Sequence, residues 1–157
     1  MKLSLTQYNH DLRFSLNPSP SEMMEMDSLC FSGSWSEQDY QEMQAQPTYR
    51  NWLLKLPGAG QVGMLVFQSV PPELQILRLA VHPEWRGKGL AVFMLDKLEM
   101  QAKMDNLESL WLEVHSANKP ARALYFKEGF QQISCRKNYY QRPPGDSFLL
   151  IKLLKQC

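Results

Sequence analysis

Arg86-Gly87-Lys88-Gly89-Leu90-Ala91 joins two glycines and two cations to the start of an apolar-periodic run. Glycine lets a backbone approach a ligand closely. A helix start offers unpaired N–H groups and the positive end of its dipole, each anionic contact contributing about 0.3–1 kcal/mol. Together these residues have the chemistry of a pyrophosphate cradle. On the residues alone, a simple turn is the alternative.

Glu113 is the second candidate. In Trp111-Leu112-Glu113-Val114, strand alternation puts Leu112 and Val114 on one face and Glu113 on the other. A carboxylate in so apolar a strand is costly unless it is partnered or functional. A positioned carboxylate can take a proton from an amine, directly or through one water. Tyr125 carries a phenol, although an aromatic on an amphipathic helix ordinarily packs in the core.

Other motifs fail on context. Gly58-x-Gly60-x-x-Gly63 has dinucleotide-fingerprint spacing, but Met64–Val70 reads as a strand where that motif needs a helix. It is read as a hairpin turn. His10, His82 and His115 are scattered, so no metal site is expected. Cys30, Cys135 and Cys157 form no C-x-x-C pair and are read as reduced thiols.

The elements that must position these residues follow from periodicity and caps. Ser19-Pro20-Ser21-Glu22 predicts a capping box and a helix to about Cys30. Ser34-Trp35-Ser36-Glu37 repeats the S-x-x-E pattern and predicts a short helix to about Ala45. Trp52–Leu56 and Val62–Val70 read as a hairpin around Pro57–Gln61. Leu74–His82 reads as a strand buried on both faces. After the glycine loop, Ala91, Leu95, Leu98 and Ala102 mark one face of a helix to about Met104. Ser109–Val114 is a strand, Asn118 caps a helix that Gly129 ends, and Gln131–Tyr140 with Phe148–Leu154 closes as a hairpin. The class is α+β, a mixed sheet with flanking helices.

The chain of 157 residues suits a single domain, here 1–157, that buries roughly 70% of its unfolded surface. With 17 basic and 16 acidic side chains the net charge is +1, which argues against a broad nucleic-acid-binding field. Met1 to Pro20 lacks a signal-peptide apolar region. Leu90–Leu95, the longest apolar run, is far short of the roughly 20 residues of a membrane span. A cytoplasmic protein with neither nucleic-acid nor membrane partners is expected.

The glycine loop, as Arg-x-x-Gly-x-Ala, resembles the acetyl-CoA motif of the GNAT acetyltransferases. Leu110-Trp-Leu-Glu113-Val-His-Ser-Ala-Asn118 and Ala123-Leu-Tyr125-Phe-Lys-Glu-Gly129-Phe130 agree with it. Within that family the resemblance is to the bacterial ribosomal-protein-alanine N-acetyltransferases, whose W-L-E-V strand, A-L-Y-x-x-x-G-F helix, N-Y-Y and W-S-E loop all have matches here. It is strong from about Leu74 to Tyr140 and thin before Trp35.

The resemblance implies the GNAT fold, with a mostly antiparallel sheet and a parallel pair at the cofactor site. It implies acetyl-CoA as cosubstrate and no metal. Backbone groups of Leu79 and Val81 would bind the pantetheine arm, and Asn118 would contact it. Arg86, Gly87, Lys88, Gly89, Leu90 and Ala91 would hold the pyrophosphate. Glu113 would be the general base, and Tyr125 would protonate the departing thiolate. Trp35, Glu37, Tyr139 and Tyr140 would shape a peptide groove.

Arg78 departs from the relatives' smaller polar residue. As a fixed cation it would disfavour an ammonium and favour an acidic acceptor, unless it points to solvent. The acceptor implied is the N-terminal amine of a protein, a ribosomal one in the enzymes it resembles. An α-amine, with pKa about 7.7–8.0 against about 10.4 for lysine, costs roughly 3.4 kcal/mol less to deprotonate. A small amine, a polyamine or a lysine is the alternative acceptor. A non-catalytic acetyl-CoA-binding module is the alternative class.

Overall fold

The computed structural model describes residues 11–155; His10, Cys157 and the first half of the N-terminal stretch read for a signal lie outside the described residues. The strands are β1 (Arg13–Ser15), β2 (Tyr49–Leu56), β3 (Gly60–Val70), β4 (Glu73–Val81), β5 (Ser109–His115), β6 (Gln131–Gln141) and β7 (Pro144–Leu153). The helices are α1 (Pro20–Cys30), α2 (Glu37–Gln44), α3 (Leu90–Met104) and α4 (Lys119–Lys127), with a 3-10 turn at Pro83–Trp85. Strand order is β1-β2-β3-β4-β5-β7-β6. The β4–β5 pair is parallel, while β1–β2, β2–β3, β5–β7 and β6–β7 are antiparallel. This is the expected mixed sheet with flanking helices. No helix among the described residues is long and apolar enough to cross a membrane.

Three expectations are corrected. The three-residue β1 was not anticipated, being too short to show a period. The cap of α2 is Ser36, whose side chain accepts from Asp39 N–H at 3.1 Å while Asp39 accepts from Ser36 N–H at 2.7 Å; Ser34 with Glu37 is not the box. Strand β4 is not buried on both faces: Leu74 and Ile76 are buried, but Leu77 is 38% exposed. Adjacent side chains of a strand face opposite ways, so the face that carries Leu77 is open at that point.

The chain divides into two compact units. The described residues up to Ser69 join Arg78–Leu95, and Val70–Leu77 joins the residues from Asp96 onward.

In the first unit, β2 and β3 are covered on both faces. Leu54, Leu56 and Val62 pack with Leu90 and Met94 of α3. Leu53, Met64 and Val66 pack with Met23, Met26 and Tyr40 of α1 and α2. Val62 and Met64 are two apart yet face opposite ways. The register explains this: Leu54 pairs with Gly63 and Lys55 with Gln61, so Val62 is a bulged residue. A Cβ on Gly63 would stand 2.9 Å from the Met94 thioether, so glycine leaves room for the end of that side chain against β3. The Ser19–Glu22 capping box is present on α1.

In the second unit, β5 pairs with β7 along its full length and with β4 over Glu73–Ile76. Lys152 of β7 reaches Glu99 of α3 at 2.7 Å. Burial pushes the Glu99 carboxyl up, but hydrogen bonds and charge from Lys152 and Lys103 outweigh it, leaving it below its ordinary 4.5. A depressed carboxyl stabilises the fold above its unfolded value and loses that contribution as pH falls through the folded value. Acid titration of stability is therefore expected to be shallower below the ordinary 4.5 in Lys152→Met than in wild type.

Candidate active site

The glycine loop is built in the first unit. Strand β4 ends at Val81, and His82 N–H donates to Val62 O at 2.9 Å, tying the strand end to the bulge. His82 Nδ1 then accepts from Glu84 N–H at 3.1 Å and caps the 3-10 turn. Gly87 and Gly89 follow with φ of +76° and +81°, a region that side-chain-bearing residues enter at a cost. A Cβ at Gly87 would meet nothing within 4 Å, so glycine is required there by conformation, not crowding. Phe93 N–H is the first of α3 to bond back into the helix, to Gly89 O at 3.1 Å. The N–H groups of Leu90, Ala91 and Val92 thus have no partner within the helix.

Arg86 and Lys88 flank this row. Arg86 Nε donates to Val81 O at 3.2 Å, and Lys88 Nζ lies 5.8 Å from the Trp85 ring. Of the Val81 backbone groups, expected at the pantetheine arm, the carbonyl accepts from Arg86. A diphosphate fits the donor set: paired N–H groups at a helix N-terminus, two glycines and two cations. Gly87→Ala is expected to cost about 1 kcal/mol, lowering Tm by roughly 2–4 °C, and to raise the KM for acetyl-CoA; thermal melts and steady-state kinetics check both.

Trp35 and Arg78 also lie in this unit. The Arg78 side chain is 12% exposed and Asp27 is fully buried, so Arg78 is not directed to solvent. Its Nη1 donates to Asp27 Oδ1 at 3.3 Å, so its charge is matched inside the fold. Asp27 also accepts from Tyr40 Oη. Burial, then the bond to Asp27, push the Tyr40 phenol well above its usual range. Glu37 is the exposed first residue of α2.

Glu113, Asn118, Tyr125, Tyr139 and Tyr140 lie in the second unit. Leu112 and Val114 are buried, and Glu113 emerges on the other face with its side chain 34% exposed. Its Oε2 accepts from Ser147 Oγ at 3.3 Å, and its Oε1 lies 3.4 Å from Arg136 Nη2. The carboxylate is thus held by two partners and still reachable. Asn118 Oδ1 accepts from Ala121 N–H at 3.3 Å and caps α4. Tyr125 is 7% exposed and edge-on to Phe130 at 5.4 Å. Burial pushes its phenol up to about 12.

Asn138 takes φ of +54°, and its N–H donates to Asp146 Oδ1 at 2.8 Å. This bulge in β6 sets Tyr139 beside Arg136, whose guanidinium is 5.3 Å from the ring. Tyr140 stacks on His115 at 4.6 Å. Ser147, Arg136, His115 and Asp27 were missed by sequence reasoning. His115 left one signal, its place two residues beyond Glu113 on the same strand face. The others left none, because their partners are remote in sequence.

The model of the acetyltransferase (GNAT) family matches residues 21–130. The chain is 39% identical over 84 residues to the ribosomal protein bS18-alanine N-acetyltransferase of Haemophilus influenzae, covering 54% of this chain and 57% of that one. It is 31% identical over 120 residues to the enzyme of that name from Escherichia coli K12, covering 76% of this chain and 80% of that one. The aligned stretch thus spans little more than half the length of the first relative. The crystal structure of the ribosomal-protein-S18-alanine N-acetyltransferase from Escherichia coli superposes with a TM-score of 0.84 at 24% identity, covering 93% of this chain and 96% of that one. The matched fold, the glycine cradle before α3 and the alignment with these relatives lead to one assignment: the chain belongs to the GNAT family of acetyltransferases.

Proposed function

We propose that the protein is an acetyl-CoA-dependent N-acetyltransferase acting on the N-terminal amine of a ribosomal protein, by direct transfer in a ternary complex. The observation that carries this reading is the glycine loop, whose positive-φ Gly87 and Gly89 leave the α3 N-terminus open to a diphosphate. The family match runs from residue 21 to 130 and takes in residues of both compact units, which supports reading one domain over that range. With a ribosomal acceptor, the reaction belongs in the cytoplasm.

Acetyl-CoA supplies the thioester carbonyl that the amine attacks. Arg86, Lys88 and the N–H groups up to Ala91 hold its diphosphate, while backbone groups of Leu79 and Val81 and the amide of Asn118 meet its pantetheine arm. Glu113 accepts the proton that the attacking amine loses. Ser147 and Arg136 keep that carboxylate oriented. Trp35 and Glu37 in the first unit, and separately Tyr139 and Tyr140 in the second, are the side chains assigned to the acceptor.

Tyr125 is assigned to the leaving sulfur. With its phenol near 12, it stays protonated throughout the physiological range. Full transfer to a free thiolate, whose acid has pKa about 8.5, would be uphill, because the buried phenol holds its proton more tightly. Tyr125 Oη therefore acts chiefly by hydrogen-bonding the sulfur as charge develops. A bond to a charged group contributes about 1.5–3 kcal/mol, so Tyr125→Phe is expected to lower kcat roughly 10- to 100-fold with the KM for both substrates little changed. Steady-state kinetics check this.

Mass spectrometry of the protein incubated with acetyl-CoA, an Ala-starting peptide and a panel of small amines tests the proposal. Acetyl on the peptide is the expected result. Turnover of small amines without peptide acetylation contradicts the acceptor, and acetyl-CoA binding without turnover of any amine contradicts catalysis.

A further inference from the structure

Residues 31–36 join α1 to α2 and form neither helix nor strand. One side chain from β4 meets three of them. The Arg78 guanidinium lies over two rings, 4.2 Å from the Phe31 centroid and 4.0 Å from that of Trp35. Its Nη2 donates to Gly33 O at 3.1 Å. Its Nη1 donates to Asp27 at 3.3 Å. Trp35 in turn lies edge-on to Tyr40 at 5.6 Å, and Tyr40 donates to Asp27. Arg78 Nε is buried without a hydrogen bond. A buried donor left unmade is costly, so the orientation is dictated by the rings and the two Nη bonds.

Only a planar fork satisfies this geometry. Its flat surface meets the two rings while its two Nη groups reach two separate acceptors. A lysine ammonium can neutralise Asp27 but cannot stack on two rings while also reaching Gly33 O.

We propose that Arg78 is a positioning residue for the acceptor: by pinning Phe31, Gly33 and Trp35 it fixes the α1–α2 connection and so sets how tightly an acceptor peptide binds, without touching that peptide. Because Asp27 matches its charge, Arg78 selects through the shape of this segment, not as a free cation. This rests on reading Trp35 and Glu37 as part of the acceptor groove.

Arg78→Lys separates the pin from the neutralisation of Asp27. Amide hydrogen exchange across residues 32–36 is expected to quicken about tenfold or more while β2 and β3 keep wild-type rates. The KM for an Ala-starting peptide is expected to rise about tenfold, with that for acetyl-CoA within twofold and kcat within threefold. Wild-type exchange and wild-type peptide KM in this variant overturn the proposal, as does an equal rise in both KM values. A wild type that acetylates no peptide overturns the acceptor reading instead, and the exchange rates then decide the pin by themselves. Should Arg78→Lys not fold, the pair Asp27→Asn with Arg78→Met, which buries no charge, carries the same exchange and KM readouts, and the same results support or overturn the pin.

Discussion

Glu113→Gln is expected to lower kcat by roughly two to three orders of magnitude while acetyl-CoA still binds. Glutamine keeps the shape of the side chain and can still accept from Ser147 Oγ, 3.3 Å away in the wild type. What it loses is the ability to take a proton, and a positioned general base contributes about 10²–10⁴-fold. Stability should change little, because Arg136, the partner that loses its counter-charge, is 59% exposed and exposed ion pairs contribute about 0–1 kcal/mol. The pH profile gives the sharper reading. An α-amine titrates near 7.7–8.0, so raising pH supplies the neutral nucleophile without help from the enzyme. The deficit of Glu113→Gln should therefore shrink as pH rises towards that value. A variant with wild-type turnover across the range contradicts the assignment of Glu113 as base.

Asp27→Ala should have the largest effect on stability. Asp27 is fully buried and accepts from Arg78 Nη1 and Tyr40 Oη. The substitution leaves a guanidinium that is 12% exposed without its counter-charge and a buried phenol without its acceptor. Removing one partner of a buried pair costs about 3–5 kcal/mol, a large share of a typical stability of about 5–15 kcal/mol. For a chain of this size that lowers Tm by roughly 6–20 °C. Adding Arg78→Met removes the stranded charge, so the double variant should be more stable than Asp27→Ala alone, a direct measure of coupling. Denaturant midpoints check both. A loss below about 1 kcal/mol in Asp27→Ala would mean that the pair behaves as a solvated one.

What the sequence disclosed follows the range of the interactions. The glycine loop was legible because its requirements are local: positive φ at Gly87 and Gly89, cations beside them and an apolar period after them. The cap at Asn118 and the stop at Gly129 were legible for the same reason. Ser36 was misjudged because two overlapping patterns, Ser34 with Glu37 and Ser36 with Asp39, both satisfy the capping rule, and only the folded chain decides between them. The bulge at Val62 was invisible, since a bulge is a relation between two strands. The same holds for the partners of the site. Ser147 meets Glu113 across 34 residues, and Asp27 meets Arg78 across 51. Both contacts exist only in the folded chain, so Arg78 read alone looked like a free cation or a solvent-facing side chain.

The central claim, that the protein acetylates a chain-terminal amine with acetyl-CoA, is tested most directly by competition within one molecule. A peptide that begins with alanine and carries an internal lysine offers both amines at equal concentration. Incubation with acetyl-CoA and tandem mass spectrometry locate the added acetyl group. Acetyl confined to the α-amine, and lost in Glu113→Gln, is the predicted result. Acetyl on the lysine side chain, or on neither amine, contradicts it.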